Sequence, residues 1–166
     1  MISPELLRRY PFFGFLTPEQ QRTVAMIAEE VTVPAGEALF HSGEPASHFY
    51  LLTEGSIDLN YDVNDSLKTG KKARYYVGTV NPGEPLAISA LIEPYVLTTT
   101  AVAANTSRLI AIDAAALREL VETDSELAYP LLRQVAHAAM ERLQATRIEL
   151  LAATGTPNGA PALDLA

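Results

Sequence analysis

Between residues 31 and 113 the sequence is a series of short β-rich runs separated by turns that contain glycine. The runs cover residues 31–33, 38–40, 49–52, 56–62, 74–80 and 107–112. The turns contain Gly36, Gly43, Gly55 and Gly83. Short strands at this spacing are typical of a sandwich or barrel and not of alternating strand–helix units. We therefore predict one mainly β unit over about residues 31–113.

Helical signals flank this β region on both sides. Thr17, Pro18 and Gln20 have the spacing of an N-terminal capping box, which predicts a helix over residues 17–30. After the last β-rich run, residues 113–123 predict one short helix. The order of elements is therefore helix, β region, helices.

A longer helix is predicted over residues 125–152, with Ser125 as its cap. Pro130 has no backbone N–H donor, so we expect the helix to bend or restart near Tyr129. Its straight part then covers residues 130–152.

One side of this long helix carries a narrow apolar stripe. The stripe follows three- and four-residue steps through Leu132, Val135, Ala139, Leu143, Thr146 and Leu150. This spacing favours a seam between paired helices, and the alanine would allow close approach. We predict a homodimer through Leu132, Val135, Ala139, Leu143 and Leu150. The alternative is that the stripe packs on the chain's own β region, since periodicity cannot identify the partner surface.

The length of 166 residues predicts one domain. We place it at residues 1–153, with the C-terminal helices at 114–153. Residues 154–166 contain Gly, Pro and Asn without periodicity, which predicts a flexible tail. Residues 63–73 are expected to form an exposed hairpin tip, where Lys68, Lys71 and Lys72 provide either a solvated loop or a basic contact site.

Charge and composition narrow the class of partner. The chain carries 20 acidic and 12 basic residues, a net charge of −8, which argues against nucleic acid and acidic membrane surfaces as partners. The sequence has no apolar run of membrane-spanning length and no secretory signal, so we predict a cytoplasmic protein. Without cysteine there are no disulfides or thiolate metal sites. The expected partners are proteins or small molecules.

A set of ordered residues from Leu7 to about Leu151 points to a known family. The matching segments are Phe13 with 16–20 (LTPEQ), 35–40 (AGEALF), 42–52 (SGEPASHFYLL), 54–59 (EGSIDL), 82–84 (PGE), 90–92 (ALI), 100–103 (TAVA) and 109–113 (LIAID). With these residues the chain resembles the cyclic-nucleotide-binding domains, such as the regulatory domain of the catabolite activator protein. The resemblance implies an eight-stranded jelly-roll β-roll flanked by helices, with a long C-terminal helix.

The resemblance also implies a phosphate-binding cassette, here residues 83–100. In the family, a short helix after the PGE turn holds the phosphate of the ligand. The predicted pocket residues are Gly83, Glu84, Leu86, Ala87, Ile88, Ser89, Leu97, Thr98 and Thr99.

Two charged groups of the family cassette are missing from this sequence. Ile88 stands where the family has the glutamate that accepts a hydrogen bond from the ribose, and Leu97 stands where it has the arginine that pairs with the phosphate. A buried anion without its cation costs about 3–5 kcal/mol. We therefore predict that the domain does not bind cAMP or cGMP tightly. The pocket is then filled by side chains or accepts a more apolar ligand. A weaker anion site, formed by amides near Ile88 and the hydroxyls of Thr98 and Thr99, is a further alternative.

These observations favour a non-enzymatic regulatory or interaction module that acts by docking or dimerisation. The second hypothesis is a small-molecule sensor that binds a cyclic nucleotide or a more apolar ligand in the β-roll. The third is a cupin-like metalloenzyme, which needs two closely spaced histidines and a carboxylate. His41, His48 and His137 lack that spacing, so we predict no metal site and no cofactor. No helix-turn-helix pattern follows residue 153, and DNA binding is not expected.

Overall fold

The computed structural model describes residues 1–65 and 71–154, apart from the side chains at 64–65 and 71–72. The predicted tail from residue 155 onward, Lys68, and the side chains of Lys71 and Lys72 lie outside the described residues. The predicted loop over 63–73 is longer than the structure allows, because residues up to 65 and from 71 onward are paired strands.

The N-terminal part forms helix α1 (Pro4–Arg8), a 3-10 helix (Pro11–Phe13) and helix α2 (Pro18–Met26). The predicted capping box is confirmed: Thr17 accepts a hydrogen bond from the Gln20 amide at 3.2 Å, and the Gln20 side chain accepts one from the Thr17 amide at 3.0 Å. The predicted extension of this helix to residue 30 is wrong. Residues 28–30 instead pair with a distant strand, which outweighs their local preference.

Eight strands occur in the described part of the chain. They are β1 (Ala28–Val33), β2 (Ala38–Phe40), β3 (His48–Glu54), β4 (Ile57–Asp65), β5 (Lys71–Val80), β6 (Pro85–Leu86), β7 (Thr100–Ala103) and β8 (Ser107–Asp113). All pairings are antiparallel, and they form two four-stranded sheets in the orders β1-β8-β3-β6 and β2-β7-β4-β5. This is the predicted jelly-roll β-roll.

The centre of the core lies at β8. Leu109, Ile110, Ala111 and Ile112 are all buried, whereas a strand with one wet face would alternate. The reason is that β8 is hydrogen-bonded between β1 and β3, while α3 (Ala114–Thr123) also contacts this sheet. A continuous apolar run is therefore required at β8.

The long helix α4 (Ser125–Thr154) follows α3 after a single residue. Its predicted cap is wrong by one position, because the Asp124 carboxylate accepts from the amides of Glu126 and Leu127 at 3.1 and 3.2 Å. The predicted restart near Tyr129 is also wrong, since α4 is continuous through Pro130. A proline in the second turn removes one backbone donor, and the cap and packing of the first turn compensate for it.

Candidate functional site

The cassette begins at a turn that is fastened to β3. The amide of Gly83 donates to the carbonyl of Leu52 at 2.7 Å, and the amide of Leu52 donates to the carbonyl of Glu84 at 3.1 Å. The Glu84 carboxylate closes the turn by accepting from the Asn81 amide at 2.7 Å. Glu84 is therefore already engaged by the backbone.

At residues 86–88, which end at the position of the family glutamate, the structure has three apolar side chains. Leu86 is fully buried in β6, and Ala87 is buried in a left-handed conformation with φ 56° and ψ 42°. Ile88 begins a 3-10 helix (Ile88–Leu91) and packs, half-buried, against the core. Ser89, the next residue, is also half-buried. The triplet thus adds to the hydrophobic core and supplies no carboxylate.

Leu97 belongs to the core in the same way. Its side chain is only 6% exposed, and its backbone is bonded on both sides to the turn at residues 43–44. The Gly43 amide donates to the Leu97 carbonyl at 2.8 Å, and the Leu97 amide donates to the Glu44 carbonyl at 2.9 Å. Thr98 is exposed and Thr99 is half-buried. The position of the family arginine is therefore occupied by a well-packed aliphatic side chain.

A small cavity of about 70 Å³ lies next to the cassette, between the β-roll and α4. It is lined by Leu59, Val77, Gly78, Thr79, Glu84, Pro85, Ala138, Glu141, Arg142 and Ala145. Of the nine predicted pocket residues only Glu84 contributes to this lining. Pockets that bury a drug-sized ligand have volumes of about 300–1,000 Å³. This cavity has room for a few waters.

Arg142 is the cation of the cavity, and the sequence analysis did not identify it. Its Nη2 donates to the carbonyl of Pro85 at 2.6 Å. Burial lowers the pKa of the Arg142 guanidinium, and the charge of Glu84 opposes this effect in part. Arg142 continues the row of α4 residues that face the β-roll, four residues after Ala138. The sequence signal that could have identified Arg142 is a single arginine in an otherwise apolar row at helical spacing.

Arg118 is a second cation that the sequence analysis missed. It extends from α3 and donates from Nε to the carbonyl of Ala90 at 2.7 Å and from Nη2 to the carbonyl of Ala46 at 2.9 Å. Its guanidinium lies 4.0 Å from the ring centre of Tyr95. Both of its partners are remote in sequence, so no local pattern could reveal this contact.

Two rows of residues run along different faces of α4. The inner row faces the β-roll and comprises Leu127, Leu131, Val135 and Ala138. We call the remaining predicted seam residues the outer stripe, namely Leu132, Ala139, Leu143 and Leu150. The prediction that Val135 is a seam residue needs correction, because Val135 is only 3% exposed and lies in the chain's own core.

The outer stripe is exposed. The exposed fractions are 37% for Leu132, 50% for Leu143 and 62% for Leu150. Large aliphatic side chains are rarely aligned on a solvent-exposed helix face without a partner. The outer stripe is therefore a candidate interaction surface that is separate from the inner row.

Each of the three histidines contacts a different residue. His41 contacts Glu44 at 2.9 Å and His137 contacts Glu141 at 3.1 Å, all with side chains that are more than half exposed. His48 contacts the hydroxyl of Ser47 at 3.1 Å. Within residues 1–65 and 71–154, no three metal-ligating side chains form a group.

Comparison with known proteins identifies the fold. Residues 30–124, more than half of the chain, match the cyclic nucleotide-binding domain. The chain belongs to the cyclic nucleotide-binding domain family. The domain is similar to a candidate cyclic nucleotide-binding protein of Geobacter metallireducens GS-15, with 38% identity and a TM-score of 0.75 over 86% of this chain and 99% of that one. It is also similar to the N-terminal domain of a transcriptional regulator of Streptomyces coelicolor A3(2), with 31% identity and a TM-score of 0.61 over 82% of this chain and 93% of that one.

One curated relative is much longer than this chain. A candidate potassium channel protein of Rhodopseudomonas palustris is 25% identical over 128 residues, which are 77% of this chain and 29% of that protein. The domain therefore spans less than a third of that relative. Among the described helices here, none is both long and apolar enough to cross a membrane. The domain is a regulatory domain of the cyclic nucleotide-binding type.

Proposed function

We propose that the domain is a non-enzymatic regulatory module that binds neither cAMP nor cGMP tightly and acts by pairing with a second copy of itself. The observation that carries this proposal is Leu97, which is buried and aliphatic where the family has its phosphate-binding arginine. An anionic phosphate next to Leu97 would lose its hydration without gaining a cation.

The size of the cavity supports the same conclusion. At about 70 Å³ it is several times smaller than a typical ligand pocket. Leu86, Ile88 and Leu97 are part of the core that surrounds the cassette, and to make room for a nucleotide they would have to leave it. Opening the pocket would therefore expose apolar surface, at about 25 cal/mol per Å².

The outer stripe supports pairing between two copies of the domain. The 30 residues of α4 give a helix about 45 Å long, so the stripe extends over several turns. Its members lie seven, four and seven residues apart, which matches the a and d positions of a coiled-coil heptad. A second copy presents the same stripe, and two-fold pairing of identical helices would cover both at once. The net charge of −8 makes nucleic acid and acidic membrane surfaces poorer partners. We place this module in the cytoplasm.

A second candidate function rests on Arg142. The guanidinium faces a cavity and donates one hydrogen bond to a backbone carbonyl, and it has five N–H donors in all. No carboxylate lies within ion-pair distance of it in the described part of the chain. A small acidic ligand that widens the cavity would pair with this guanidinium. The domain would then be a small-molecule sensor that uses a cation on α4 in place of the missing one at Leu97.

Calorimetry and thermal unfolding with cAMP and cGMP test the first candidate. We expect no heat of binding and no shift of the melting temperature at millimolar nucleotide. A ligand with a micromolar dissociation constant would add about 3–4 kcal/mol at that dose, since the stabilisation follows mass action. For a domain of this size that gain corresponds to a shift of roughly 10 °C.

A dose-dependent shift would contradict the first proposal. Arg142→Met then locates the site: if it abolishes the shift, the sensor function at Arg142 is supported. A shift that Arg142→Met leaves unchanged would place the nucleotide elsewhere, which contradicts the first candidate and gives the second no support. Arg133→Met, at an exposed position of the same helix, is the matched control.

Sedimentation velocity over a concentration series tests the pairing. We expect the wild-type domain to be a dimer and Leu143→Glu to weaken it at least about a hundredfold, because the seam would bury two carboxylates without partners. Ile148→Glu is the control, since Ile148 is a similarly exposed aliphatic residue of α4 that lies off the outer stripe. A wild-type monomer, or equal effects of the two substitutions, would refute pairing through this stripe.

A further inference from the structure

The cassette segment, defined here as residues 87–97, contains two residues in an unfavourable backbone conformation. Ala87 has φ 56° and Tyr95 has φ 60°. Residues that carry a Cβ atom rarely adopt this left-handed conformation, and the surrounding structure has to hold them in it. The hydrogen bonds inside the segment are local: Ala90 to Ala87 at 2.9 Å, Ile92 to Ser89 at 3.1 Å and Tyr95 to Ile92 at 2.9 Å. Backbone hydrogen bonds to residues 43–46 fasten the C-terminal end of the segment, at Tyr95 and Leu97, to the rest of the domain.

Arg118 attaches the middle of the segment, which those backbone bonds do not reach. Its Nε bonds the carbonyl of Ala90 in the middle of the segment, and its planar guanidinium covers the ring of Tyr95 at 4.0 Å. Its Nη2 bonds the carbonyl of Ala46, whose own amide donates to the Tyr95 carbonyl at 2.8 Å. In the part of the chain that the structure describes, no other side chain outside the segment hydrogen-bonds the backbone between residues 88 and 95. One side chain thus joins α3, the cassette segment and the turn before β3.

The guanidinium group of arginine is suited to making these three contacts together. A guanidinium is planar and rigid, and its donors point in fixed directions, so one residue can bond two carbonyls while it stacks on an aromatic ring. Lysine has a single flexible ammonium group and cannot reproduce all three contacts. Hydrogen bonds from a charged donor to a backbone carbonyl are also stronger than neutral ones.

We propose that Arg118 is a positioning residue, a latch that holds the cassette segment closed against α3. The segment can then move only if these contacts break. α3 is separated from α4 by a single residue, and both helices contact the 3-10 helix of the segment, so the latch lies where the segment meets the C-terminal helices. This inference stands whether or not the domain pairs through α4.

Hydrogen–deuterium exchange measured amide by amide on the full chain tests the latch. In Arg118→Ala we expect the amides of Ala90, Ile92 and Tyr95 to exchange about tenfold faster or more, as local opening becomes easier. Protected amides of β3 and β8 should keep their wild-type rates. Arg118→Lys should restore part of the protection, because it retains the charge and one hydrogen bond. Glu119→Ala, which removes an exposed charged side chain from the same helix, should change none of these rates.

Two results would overturn the proposal. Unchanged exchange at residues 88–97 in Arg118→Ala would show that the segment is held without the latch. A uniform acceleration that includes β3 and β8 would show that Arg118 only contributes to global stability. If Arg118→Ala does not fold, Arg118→Lys decides: faster exchange confined to the segment supports the latch, and wild-type or uniformly faster exchange contradicts it. None of these outcomes depends on nucleotide binding, so the latch and the proposed function fail separately.

Discussion

Leu97→Arg is expected to lower the free energy of unfolding by about 3–5 kcal/mol, the cost of leaving a buried charge without a partner. Leu97 is 6% exposed and packs in the core, and its backbone is bonded on both sides to residues 43–44, so the new guanidinium cannot easily move to solvent. For a domain of this size the loss corresponds to a decrease of about 10 °C or more in melting temperature. Urea denaturation and thermal unfolding measure it.

Thr98→Arg is the control for this substitution, because Thr98 is the exposed neighbour and its replacement should change stability by less than about 0.5 kcal/mol. Wild-type stability of Leu97→Arg would mean that the guanidinium finds water or an anion inside the domain. Recovery of the melting temperature on addition of cAMP would lead to the same conclusion. Either result would show that the nucleotide site is still accessible, against the filled pocket proposed here.

Gly55→Ala is expected to destabilise the domain by about 2–5 kcal/mol, the sum of backbone strain and overpacking. Gly55 has φ 97°, and a Cβ added there would lie 2.7 Å from the Cα of Ser107. Ser107 cannot yield easily, since it is fully buried and its hydroxyl accepts from the Ser56 amide at 3.1 Å and donates to the Asn105 carbonyl at 2.9 Å. The new methyl group would therefore separate the β3–β4 turn from the start of β8.

Gly36→Ala separates strain from overpacking. Gly36 has a similar φ of 85°, but a Cβ added there meets nothing within 4 Å. It should lose only about 1–2 kcal/mol, the cost of the left-handed conformation. Equal losses in urea denaturation would show that the contact with Ser107 relaxes without cost. The difference between the two variants measures the close approach of the β3–β4 turn to β8.

The composition of the cassette could be read directly from the sequence. Ile88 and Leu97 are aligned with the family's two charged groups, and this alignment needs only the PGE turn and the order of the neighbouring residues. Whether the resulting space is open or filled could not be read in this way. It depends on how Leu86, Ile88 and Leu97 pack with residues from other strands in the core.

In the long helix, too, the sequence predicts one part and the packing decides the rest. The sequence shows which residues of α4 are apolar at helical spacing. It does not show which of them face the β-roll, and the prediction for Val135 was wrong. The fit of α4 on the β-roll turns Val135 inward and leaves Leu132 and Leu143 exposed. Arg142 lies in the inner row, and its partner Pro85 is 57 positions earlier in the chain.

The sequence by itself determined the helix–β–helix order, the capping box at Thr17, the glycine turns and a sandwich or barrel class, because these follow from local conformational preferences and residue periodicity. The jelly roll was implied by the resemblance to the cyclic-nucleotide-binding domains, and the strands β6 and β7 were not predicted. The tertiary structure alone decided where α2 ends, because Ala28 pairs with Ile112, and which carbonyls Arg118 bonds. Those features depend on distances between residues that are 28 to 84 positions apart. No local pattern encodes such distances, since they arise only when the two sheets and the C-terminal helices pack together.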